Sequence, residues 1–197
     1  MKKGAHIFLI ILSISTFLFS CTNAEEVEVT KNEKMENLGF EDMPNSETKS
    51  ITIETKNTAD QLELITKLRA KLEEDDFDFE QQEVTRFPGF SNCEENTTIS
   101  ITGNGLRQYF ARSRKPEKNT TDFYPDFIIQ VFEFQNEQIA QEKFEIMHKA
   151  MHSKGRFCNG KAPMVLVINN NEVFYFFTRA EMFRGYINEY SEFVEML

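Results

Sequence analysis

The chain has 197 residues, of which 32 are acidic and 22 basic, for a formal charge of −10. A surface of that sign repels phosphate backbones and anionic headgroups, which excludes nucleic acid as a partner. The length is ample for one domain with its own core, and with 20 Phe and no Trp that core is built on phenylalanine.

The chain opens with Lys2 and Lys3, continues as an uncharged, mostly apolar run from Ile7 to Phe19, and then reaches Ser20 and Cys21. This is the layout of a bacterial secretory signal over residues 1–20, too short to span a bilayer as a stable helix. Leu18-Phe19-Ser20-Cys21 resembles the lipobox of bacterial lipoproteins, in which the cysteine thiol is diacylated and becomes the new N-terminus. The resemblance implies a palmitate-type anchor on Cys21 and a place in the bacterial cell envelope, at the outer membrane, with the membrane as partner. Phe19 stands where the pattern has a small residue, and the other reading is cleavage after Ala24, with Thr22 and Ala24 as the small residues. Glu25, Glu26 and Glu28 resemble the surface-export signal of lipoproteins from the Bacteroidota; they read equally as a solvated acidic tether.

Residues 21–49 follow the leader as a polar segment expected to be a disordered tether, and a single globular domain is expected over 50–197. Ile51-Thr-Ile53-Glu-Thr55 alternates as a strand. Thr58-Ala-Asp-Gln61 matches a capping box and predicts a helix carrying Leu62, Ile65, Leu68 and Leu72 on one face, ending in the acidic run Glu73 to Asp76. Asp-Phe-Asp-Phe from 76 to 79 alternates, and Phe87-Pro88-Gly89-Phe90 is turn-like. Thr97 to Thr102 and Leu106 to Ser113 read as strands, with Gly103-Asn104-Gly105 as the hairpin turn between them. Residues 114–125 form a polar loop.

The last third alternates more clearly. Ile129, Val131 and Glu133 share one strand face, and Gln130, Phe132 and Phe134 share the other. Asn136 is placed to cap a helix with the stripe Ala140, Phe144, Met147, Met151, and Gly155 lies just past its end. Met164 to Ile168 and Val173 to Thr178 are strands around the turn Asn169–Asn171. Thr178-Arg-Ala-Glu181 repeats the capping-box pattern before a helix bearing Phe183, Ile187, Tyr190, Val194 and Leu197. The order β-α-β-β then β-α-β-β-α suggests a repeated unit. It predicts an α+β two-layer sandwich, mainly antiparallel, with its helices packed on one sheet face.

With Cys21 assigned to the lipid, Cys93 and Cys158 remain in an oxidising compartment, and a disulfide is the simplest reading. A redox or metal-binding thiol pair is the alternative, without a Cys-x-x-Cys motif to support it. Arg107, Arg112, Arg114, Lys115 and Lys118 form a basic island around Tyr109 and Phe110. It suits an anionic ligand or an acidic protein partner, or else it is a solvated hairpin edge whose charges block edge pairing. His148 and His152, four apart on one helix face with Glu145 a turn away, have zinc- or copper-ligand spacing, yet the segment lacks the glutamate of a zinc-peptidase helix. Two solvated histidines beside the methionine stripe is the plainer reading. The acidic run through Asp75, Asp76 and Asp78 lacks the glycine and spacing of a calcium loop. No cofactor motif is present. Two functions stay open: a non-catalytic domain binding an envelope protein or a small ligand, and a metal-dependent or otherwise unrecognised envelope enzyme.

Overall fold

The computed structural model describes residues 48–85, 88–154 and 158–197. The leader, Cys21, the tether as far as residue 47 and Gly155 lie outside the described residues. The elements run β1 (Lys49–Glu54), α1 (Glu63–Glu74), β2 (Phe77–Gln82), β3 (Gly89–Asn92), β4 (Thr97–Thr102), β5 (Leu106–Ser113) and β6 (Asp126–Glu133). They continue with α2 (Glu137–Met151), β7 (Met164–Asn169), β8 (Glu172–Phe177), a 3-10 turn at Glu181–Phe183 and α3 (Arg184–Glu195). β2-β5-β6-β8-β7 form one antiparallel sheet, and β1-β4-β3 form a second in which β1 runs parallel to β4.

β6 shows what organises the α+β sandwich. Phe127, Ile129 and Val131 enter a core with Leu68 and Leu72 of α1 and with Ile187, Tyr190 and Val194 of α3. Phe132 enters a second core, with Met147 and Ala150 of α2 and Ile53, Phe90, Ile99 and Ile101 of the smaller sheet. Both faces of the central strands are therefore apolar, and each needs a cover. The helices accordingly divide between the faces instead of sharing one. α1 and α3 cover the first, while α2 and the β1-β4-β3 sheet cover the second. The β-α-β-β order does recur, but β1 and β2 join different sheets whereas β6, β7 and β8 share one, so the topology does not repeat.

The glycines at 103 and 105 do not close a hairpin. β4 pairs with β1 and β3, and β5 pairs with β2 and β6. The glycines turn the chain from one sheet into the other at a point where backbones crowd. Gly103 has φ +111°, and a Cβ there would lie 2.5 Å from Thr55 Oγ1. A Cβ on Gly105 would lie 2.7 Å from the Glu133 carbonyl oxygen. Close approach, with a left-handed φ at the first glycine, explains the pattern that resembled a hairpin turn.

Helix starts divide in a similar way. Asn136 caps α2 as expected, its Oδ1 accepting from the Ile139 N–H at 2.9 Å. The Thr58 capping box does not form: α1 begins at Glu63 without a side-chain cap, because the N–H groups of Asp60 and Gln61 donate to Glu133 instead. At Thr178 the hydroxyl meets the Ala180 N–H at 3.4 Å, and α3 begins after the 3-10 turn without a side-chain cap.

Cys93 and Cys158 form the expected disulfide, with Cα atoms 5.9 Å apart. It joins the β3–β4 turn to the segment after α2. Asn159 reinforces the junction: its Oδ1 accepts from the Ser91 N–H, and its Nδ2 donates to the carbonyls of Ser91 and Ala150.

Candidate functional site

The antiparallel register places three ionisable residues at one end of the α1-covered face. Arg107 of β5 lies opposite Val131 of β6, which lies opposite Phe174 of β8; one step further along that face, Glu133 and Glu172 are cross-strand partners. All three are buried, Glu133 at 0% and Glu172 at 2% exposure. A charge in such a place is tolerated only when paired and hydrogen-bonded.

The pairing is dense and uneven. Glu133 accepts from the Asp60 N–H at 3.1 Å, the Gln61 N–H at 3.2 Å, Lys56 Nζ at 3.2 Å and Arg107 Nη2 at 3.3 Å. It thus anchors the chain entering α1. Arg107 Nη1 donates to the Gln61 carbonyl at 2.6 Å, and Nη2 also bonds Glu172 Oε1. Among the described residues nothing donates to Glu172 Oε2. Burial pushes the Glu172 carboxyl up to about 7 from an ordinary 4.5, against the pull of Arg107 and with Glu133 adding to the rise.

This upward shift has a definite sign for stability. Between about 4.5 and 7 the folded protein holds a proton that the unfolded chain has released. Glu172 therefore contributes stability that is fully present below about 4.5 and lost as pH rises through about 7, an amplitude of roughly 3 kcal/mol. Glu172→Gln should flatten that fall and make the variant the more stable protein at pH 8. Urea unfolding at a series of pH values measures it; an equal slope in both proteins would refute the assignment. Asp60, Glu63, Asp76 and Glu181 shift the other way through their cation partners, so their titration falls below this window.

Beside the ion cluster lies a cleft of about 610 Å³. It is lined by the start of α1 (Glu63, Leu64, Lys67), the start of α2 (Asn136, Glu137, Gln138), Asn170 and Asn171 of the β7–β8 turn, and by Lys56, Gln61, Gln135, Glu172 and Leu197. Six of these are side-chain amides, and none is aromatic. The size suits a small polar ligand.

The basic island does not form one surface. Arg107 is in the ion cluster, and Tyr109 is buried with its ring stacked on Phe79 at 5.2 Å. Arg112 is exposed, with its guanidinium 5.5 Å from the Tyr124 ring centroid. Arg114 pairs with Asp78 at 2.7 Å and Lys115 with Asp76. Because β2 and β5 are neighbours, the basic island and the acidic run neutralise each other across the sheet edge. His148 and His152 are exposed with ring centroids 4.1 Å apart, and burial, followed by the neighbouring imidazole, holds His148 below its ordinary value. Among the described residues no group of three His, Cys, Asp or Glu side chains converges around them or elsewhere.

The cleft and its acidic floor have no counterpart among the residues picked out from the sequence, Arg107 excepted. The available signal was Glu133, a charged residue in phase with Ile129 and Val131 on an apolar face. No family model, no curated protein and no solved structure matches the chain.

Proposed function

We propose that the chain is a lipid-anchored protein of the bacterial cell envelope whose domain over residues 50–197 is a binding module, with the cleft between the starts of α1 and α2 as its ligand site. The leader ending in Leu18-Phe19-Ser20-Cys21 supports the anchor. The observation that carries the binding reading is the lining of the cleft, in which amides and already paired charges offer hydrogen bonds. Among the described residues no helix is long and apolar enough to cross a membrane, so attachment in this reading rests on Cys21. Residues 21–49 hold the domain off the bilayer, at the outer membrane and exposed at the surface if Glu25, Glu26 and Glu28 act as an export signal.

The enzyme reading rests on Glu172, a carboxyl that lines the cleft and that burial pushes up to about 7, the range of a general acid or base. Its bond to Arg107 gives it a structural role of equal weight.

Detergent phase partitioning of whole envelopes tests the anchor. The wild-type protein should enter the detergent phase, and Cys21→Ser should remain in the aqueous phase. Identical aqueous partitioning of both proteins would remove the anchor from the account.

A further inference from the structure

The binding-module reading leaves the ligand open, and the charges around the cleft narrow it. Both lysines of the lining are engaged: Lys67 with Glu63 at 2.7 Å, and Lys56 with Asp60 at 2.6 Å and Glu133 at 3.2 Å. Glu137 has no ion pair among the described residues, and Glu172 has one carboxylate oxygen without a donor. After internal pairing the cleft therefore keeps the negative charge of Glu137, to which Glu172 adds its own above about pH 7. Helix N-termini ordinarily attract anions, but here the protein's own groups fill that role. Glu63 and Glu137 occupy the first turns of α1 and α2, Asn136 takes a free N–H of α2, and Glu133 takes those just before α1.

Resting on that reading, we propose that the cleft binds a small polar molecule carrying a primary ammonium group, held by Glu172 and Glu137. An ammonium N–H supplies the missing donor to Glu172, and a charge-assisted bond in a sheltered place is the strongest single contact the lining offers. The absence of aromatic rings among the described residues of the lining argues against a quaternary ammonium, which has no N–H to give and relies on ring faces. The amides of Gln138 and Asn170 are placed to meet hydroxyl or carbonyl groups on the rest of the ligand. The excess of acidic residues over the whole chain draws cations toward the site.

The test uses the full-length protein in detergent micelles at pH 8, with ethanolamine, cadaverine and Nα-acetyl-lysine amide as probes, whose amines stay protonated at that pH. Each is compared with its N-acetylated form, and choline is included. Chemical shifts of the Gln138 and Asn170 side-chain amides report occupancy. At least one amine should shift them, and acetylation should weaken that binding about tenfold or more, as a lost charge-assisted bond requires. Glu172→Gln should weaken it comparably. Glu137→Gln, at an exposed position where folding is not at stake, should weaken it severalfold. Choline should bind no better than the acetylated forms. Equal binding of amine and acetylated probes would overturn the ammonium assignment while leaving the cleft as a binding site. No shift with any probe would overturn the assignment and the cleft together, leaving the anchor to its own experiment.

Discussion

Replacing Arg107 with leucine is expected to destabilise the domain by about 3–5 kcal/mol near neutral pH. The guanidinium is the shared partner of Glu133 and Glu172 and also bonds the Gln61 carbonyl. Leucine fills much of the volume but leaves two buried carboxyl groups as cross-strand neighbours without the charge between them. Glu133 keeps Lys56 and the two backbone N–H groups; Glu172 keeps no donor among the described residues. The loss should therefore fall on Glu172, and adding Glu172→Gln to Arg107→Leu should recover a large part of it. Moving from pH 8 to pH 5 should also recover part, because Glu172 then carries its proton. Urea unfolding of the two single variants and the double variant measures this as a coupling. Strict additivity of the single effects would show that the cluster does not act as a unit.

Cys93→Ser combined with Cys158→Ser is expected to cost about 4 kcal/mol, the chain-entropy figure for a loop of this length. The bond closes a separation of 65 residues, spanning β4, β5, β6 and α2. The effect should lie mainly in the unfolded chain. In the folded state Asn159 still ties Ser91 to Ala150, Ser153 Oγ accepts from the Cys93 N–H at 3.2 Å, and Glu94 accepts from the Lys154 N–H at 3.1 Å. Amide spectra of the double variant should match the wild type except near these residues, while its melting temperature falls by roughly 8–16 °C. Widespread shifts through β1, β3 and β4 would mean that the bond, and not the hydrogen bonds, holds the smaller sheet against α2.

The elements were legible because their apolar periods are strong. Leu68 and Leu72, Ile187 and Tyr190, and the alternating Ile129 and Val131 all lie in the core their spacing predicts. Pairing was less legible. Gly103 and Gly105 carry the residues of a hairpin turn, but glycine serves close backbone approach equally well, and here Thr55 and Glu133 crowd them from far along the chain. The site was least legible. Arg107 resembled a member of an exposed island because Arg112, Arg114 and Lys115 follow it. Its phase said otherwise: it alternates with Tyr109 and Ala111, both buried. Its acid partners are 26 and 65 residues away, a distance that local patterns do not reach. Thr58 shows the same limit in reverse. Its capping box is sound as a local motif, yet the N–H groups just before α1 find a better acceptor in Glu133, supplied by another strand.

The proposed anchor on Cys21 is the premise for the protein's location, and the mass of the mature N-terminal peptide tests it most directly. The account predicts a chain beginning at Cys21, heavier than the bare sequence by a diacylglyceryl group on sulfur. A chain beginning at Glu25 with no added mass would contradict it.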